Sequence, residues 1–91
     1  MAMIMDFERL GVSVEGGVIR IENPRVRGNA VVMDLAYYYN QEQVDAGKPM
    51  DAQRVSFSLE DFGGKAGFSY AKAYELVMAL EEYADATSDE Q

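Results

Sequence analysis

The stretch from Gly11 to Glu22 alternates apolar and polar residues on both sides of a Gly16-Gly17 pair, and this is the strongest constraint the chain sets on its fold. Two glycines between β-branched runs predict a hairpin, because both central positions of a two-residue turn need positive φ. In that register Val14 faces Ile19 and Val12 faces Ile21. Four β-branched residues then share one face, and Ser13, Glu15 and Arg20 the other. Ahead of it, Asp6 to Gly11 reads as one helical turn, with a strand through residues 3–7 as the alternative.

Asn23-Pro24 is expected to end the second strand. With Asn29 as N-cap, a helix is predicted over residues 30–46, closed by Gly47 in the left-handed position and by Pro49 beyond it. Residues 54–60 alternate, with Val55, Phe57 and Leu59 inward, and predict a half-buried strand. Ser69 caps a second helix over residues 70–84. The expected fold is α+β, in the order hairpin, helix, strand, helix, with two helices packed on one face of a three- or four-stranded, mostly antiparallel sheet. Residues 1–86 form the single domain, and 87–91 are expected to be a frayed acidic tail.

Three consecutive tyrosines, Tyr37 to Tyr39, cannot all lie on one buried face of the first helix. At about 100° per residue, Tyr39 falls near the centre of the stripe that holds Val31, Val32 and Leu35, and so is expected in the core. Tyr37 then lies about 160° away, with Met33 and Val44, in a second apolar stripe. Either the Met-rich N-terminal segment covers that stripe or a partner does. Truncating Tyr39 should destabilise the fold, whereas truncating Tyr37 should mainly weaken partner binding.

The second helix buries Ala73, Leu76, Val77, Leu80 and Ala84, and sets Glu75, Glu81, Glu82 and Asp85 around Met78 on the opposite side. Glu81 and Asp85 are like charges four apart, and acids near a helix C-terminus oppose its dipole, so local stability does not account for them. Solvation is the simple explanation of such a face. The functional one is docking against a basic protein surface.

Charge and absences narrow the chemistry. Residues 1–59 carry eight acids against six bases, and residues 60–91 carry eight acids against Lys65 and Lys72 alone, for a formal total of −8. That field disfavours direct nucleic-acid binding and membrane phosphates, and favours a protein partner with a basic surface. With no cysteine and no histidine, the commonest nucleophile, general base and metal ligands are missing. No catalytic constellation, calcium-loop spacing or cofactor motif takes their place. Gly63 to Ser69 matches a phosphate loop poorly, although the helix start near Lys65 could attract an anion. Arg20, Arg25 and Arg27 are too few for a nucleic-acid site, and pairing within the chain is expected. No apolar run could span a bilayer and no export signal is present, so cytoplasmic residence is expected.

The expected function is that of a small acidic, non-enzymatic protein-binding protein, monomer or homodimer. Met33, Tyr37, Val44, Glu75, Met78, Glu81, Glu82 and Asp85 are its candidate contact residues. A phage or mobile-element inhibitor that occupies a basic nucleic-acid-binding surface, as an anti-CRISPR protein would, has these properties. The alternative is a homo-oligomeric assembly component in which Met33, Tyr37 and Val44 meet their symmetry copies.

Overall fold

The computed structural model describes residues 2–64 and 67–89. Its frame is one antiparallel sheet of five strands in the order β4-β3-β2-β1-β5. The strands are β1 (Ala2–Arg9), β2 (Val12–Arg27), β3 (Ala30–Tyr38), β4 (Asp51–Ser58) and β5 (Thr87–Asp89). Two helices complete it, α1 (Gln41–Asp45) and α2 (Tyr70–Met78), with short 3-10 turns at Leu59–Phe62 and Glu81–Tyr83. The α+β class is as expected from the sequence, but the strands are placed differently.

The first hairpin turns at Leu10-Gly11, whose φ angles of 54° and 75° supply the two positive positions, and not at Gly16-Gly17. β2 runs straight through the glycine pair. Asp6 and Gly16 mark a bulge there: the register shifts between Met5 and Phe7, Gly16 adopts a φ of 62°, and its N–H donates to Asp6 Oδ1 at 2.7 Å. Asn23-Pro24 likewise interrupts β2 without ending it. Pairing with β3 skips from Glu22 to Arg25, with Asn23 at a φ of 51°.

The predicted long helix over residues 30–46 is replaced by β3, a tight turn and the short α1. The cause is two-sided burial. Val31, Met33, Leu35 and Tyr37 face one side of the sheet, and Ala36 and Tyr38 face the other, all of them buried. A strand apolar on both faces has no period of two, and a helical stripe can be fitted to it equally well. Asn40, not Asn29, provides the N-cap, accepting from the Gln43 N–H, and Gly47 takes the left-handed position expected of it.

Ser69 does cap α2, its Oγ accepting from the Lys72 N–H at 3.1 Å, but the helix stops at Met78 instead of residue 84. Glu81 and Asp85, unfavourable in the expected last turn, thus fall outside it, on and just after a 3-10 turn that brings Tyr83 into the core. Residues 87–89 are not frayed: they pair with Ala2–Ile4 along the open edge of β1. Gln91 and its neighbour at 90 lie outside the described residues, as does Lys65.

One face of the sheet holds the main core, closed by Phe62, Ala73, Tyr74, Val77 and Tyr83 from the elements that cross it. On the other face a small cluster of Ala2, Val18, Ala36 and Tyr38 packs against Ile4 and, from α1, Val44. The helices therefore do not share a face in the way the sequence suggests. Tyr74 also serves the sheet edge. β1 pairs with β2 only as far as Ile19, and the Tyr74 hydroxyl accepts the Ile21 N–H at 3.0 Å just beyond.

Candidate functional site

The apolar half of the expected contact surface is interior. Met33 is completely buried and Tyr37 is 2% exposed, whereas Tyr39, assigned to the core from helical spacing, is 45% exposed. Residues two apart on a strand share a face, so Met33 and Tyr37 point together into the main core, and Val44 lies on the far side of the sheet. The three do not form one stripe. Met78 is half-buried against the main core.

Tyr37 is instead the hub of a polar and aromatic network. Phe7 meets its ring edge-on with centroids 5.1 Å apart, and the Arg9 guanidinium lies 4.4 Å over the ring centre. Arg9 Nε reaches Asp51 Oδ2 at 2.8 Å and its Nη1 donates to Gln53 Oε1 at 3.1 Å, tying β1 across to β4. The Tyr37 and Tyr83 hydroxyls are hydrogen-bonded to each other. The N-terminal segment does cover Tyr37, as the internal-cover alternative required, through Phe7 and Arg9. A cleft of about 280 Å³ opens beside this network, with Asp6, Glu8 and Glu82 at its rim.

The acid half of the expected surface is outside. Glu75, Glu81, Glu82 and Asp85 are all exposed. They do not lie along one helix: Glu75 is on α2, Glu81 and Glu82 are on the 3-10 turn, and Asp85 follows it. Sequence reasoning missed Glu60 and Asp61, exposed on the Leu59–Phe62 turn over the same face of the sheet. The signal was Ser58, whose Oγ accepts from the Glu60 N–H and caps a turn with acids in its first positions. Among the described residues these six carboxylates form one ion pair, Lys72 to Glu75 at 3.7 Å.

Arginines gather on the opposite side. Arg25, Arg27 and Arg54 alternate with Val26 and Val55 and so share the sheet face turned away from the main core, whereas Arg20, which has the parity of Val18, reaches the Tyr74 hydroxyl beside the open edge of β2. Asp34 pairs with Arg25 at 3.7 Å and Arg54 at 3.8 Å, the pairing within the chain expected of this cluster. Glu22, on the same face, accepts from the Tyr38 hydroxyl. Among the described residues the unpaired carboxylates thus lie mostly on the cover of the main core, and Arg25 and Arg54 beside Asp34 on the other face.

Three phenols, those of Tyr38, Tyr74 and Tyr83, hold their protons more tightly than an unburied tyrosine does. Burial, and then donation to Glu22, pushes the Tyr38 phenol up to about 12. Burial and the Tyr37 contact raise Tyr83 further, and burial raises Tyr74 against the opposing Ile21 N–H. Each folded value exceeds the unfolded one of 10.0, so the unfolded chain loses these protons first. Stabilisation is whole below pH 10 and falls as pH rises through the window up to about 12 for Tyr38, and beyond it for Tyr83. Urea midpoints should drop steadily from about pH 10 to 11.5, and less steeply in Tyr83→Phe; a flat profile would remove the tyrosines from the stability balance.

Among the described residues no cluster of three metal-ligating side chains occurs, and no helix is long and apolar enough to cross a membrane. The chain matches no protein-family model, no curated protein and no solved structure, so its surface chemistry carries the functional argument.

Proposed function

We propose that this is a non-enzymatic protein-binding domain whose carboxylate-rich cover docks on a basic surface of a partner protein, of the kind that otherwise holds a nucleic-acid backbone. The carrying observation is the placement of charge: Glu60, Asp61, Glu75, Glu81, Glu82 and Asp85 all project to solvent from the elements covering one face of the sheet. Arg9 and Arg20 are the arginines that reach that cover: Arg9 is held by Asp51 and Gln53, and Arg20 by the Tyr74 hydroxyl. Such a surface steers toward cationic patches and repels phosphate, and its contacts weaken as salt screens them. An inhibitor built this way would present negative charge where the partner expects phosphate.

The test is capture from lysate on immobilised protein, alongside Glu75→Lys/Glu82→Lys as bait. A partner held at about 50 mM salt should be lost by about 400 mM, and should not bind the double variant, which melts like the parent because both positions are exposed. A captured protein indifferent to both salt and charge reversal would overturn the reading.

A further inference from the structure

Among the described residues the sheet leaves five stretches of strand edge open, and four of them are guarded: β1 beyond Ile4 and β2 before Val18 carry the Asp6–Gly16 bulge. β5 is three residues long, and the half of β2 beyond Ile19 carries Pro24, a bulge and the Tyr74 hydroxyl. Short strands, prolines and bulges are the usual devices that stop an edge from recruiting another strand. β4 has none. Its eight residues pair with β3 without a register shift, contain neither proline nor glycine, and among the described residues no strand pairs with the outer side.

The geometry of that edge follows from one bond. Leu59 N–H donates to Asn29 C=O at 2.8 Å, one step past the Ala30–Ser58 pair. In an antiparallel ladder, residues alternate in turning their backbone groups to one neighbour or the other. Phe57, Val55 and Gln53 therefore face β3, and Ser58, Ser56, Arg54 and Ala52 turn theirs outward. Asp51 bonds the Ala52 N–H, which agrees with that N–H being unused by β3.

We propose that β4 pairs antiparallel with β4 of a second copy, about a twofold axis at Val55, so that one sheet runs through both molecules. This register sets all four outward residues opposite one another: Arg54 lies opposite Ser56 of the other copy, and Ala52, whose N–H exchanges Asp51 for the new strand, opposite Ser58. It sets no like charges face to face. Moving the axis to Arg54 would oppose two guanidiniums, and moving it to Ser56 would push Ala52 past the end of the strand. At the axis the two Val55 side chains meet in a non-hydrogen-bonded pair on the core side, beside Phe57, and both residues are only half-buried in the single chain. An isologous contact of this kind closes at two copies, and the acidic cover takes no part in it.

Three measurements on the full chain decide the matter. Light scattering should show the mass rising from 10.1 kDa toward double with concentration, in low and high salt alike. Glu75→Lys/Glu82→Lys should dimerise as the parent does, so failure here and failure of the acidic-surface reading are separable. Ser56→Pro removes an outward N–H that β3 does not use, and should abolish the dimer while leaving the melt of the monomer within a few degrees of the parent. The chain has no cysteine, so Val55→Cys provides a unique thiol. Across the axis the Cα atoms would sit about 4.5 Å apart, within disulfide reach, and mild oxidation should crosslink nearly all of it. Ala52→Cys, about 20 Å from its copy in this register, should not crosslink. A monomer at every concentration, a dimer that survives Ser56→Pro, or equal crosslinking of the two thiols would overturn the proposal. So would a strand of a different polypeptide found on β4 with no self-association.

Discussion

Tyr37→Ala should cost about 3 to 5 kcal/mol in urea unfolding at unchanged m-value, the range for removing a large aromatic ring from a core. Three losses act together. The ring is 2% exposed and packs edge-on to Phe7, so its removal leaves a cavity that strands held in register cannot close. Arg9 loses the face it lies on while remaining tied to Asp51 and Gln53. Tyr83, 3% exposed, is left with a buried hydroxyl short of its partner. Tyr37→Phe separates the polar part, and should cost about 1 to 2 kcal/mol. Tyr39→Ala, at 45% exposure, should stay within about 0.5 kcal/mol. Equal losses for Tyr37→Ala and Tyr39→Ala would contradict this assignment of the pair.

The tyrosines show why this part of the fold was hard to read from sequence. Residues 31–38 are apolar on both sides of a strand, so the alternation that betrayed β4 is missing, and any period fits. β4 was legible because only one of its faces is buried. The caps were legible as chemistry even where the helix was misplaced: Gly47 and Ser69 do what their residue types imply. The α2 stop at Met78 was foreshadowed by the cost of Glu81 and Asp85 in a helical last turn, a conflict that can be resolved by ending the helix. The acids expected on one helix face are exposed but spread over α2, the 3-10 turn and the residues after it, because ionised groups without partners stay in water whatever the local backbone does. The apolar contacts failed, because which face of an element is outside depends on its period. Arg9 carried no signal in sequence, since its partners Asp51 and Gln53 lie more than forty residues away.

Gly17→Val should destabilise by about 2 to 3 kcal/mol, the effect of forcing extra atoms into a packed site, and it bears on the same difficulty. Read along the chain, Gly16-Gly17 is a turn. In the fold the two glycines answer different needs. Gly16 takes positive φ at the bulge with open space around it, so a substitution there meets backbone strain alone. Gly17 adopts an ordinary φ, but a Cβ would run into the Phe7 ring, 2.8 Å from Cζ, and within 3.0 Å of Val14 Cγ1. Phe7 cannot simply swing aside, because its other contact is the Tyr37 ring. The added side chain must therefore displace Phe7 from Tyr37 or open the pairing of β1 with β2. Phe7→Leu made with Gly17→Val should recover part of the loss, because a smaller side chain at residue 7 frees the space that valine needs. Were Gly16-Gly17 a turn, both positions would need positive φ, so Gly16→Val and Gly17→Val would cost alike and Phe7→Leu would rescue nothing. Unfolding curves of the four proteins therefore discriminate between a glycine kept for its backbone and one kept for the ring that lies on it.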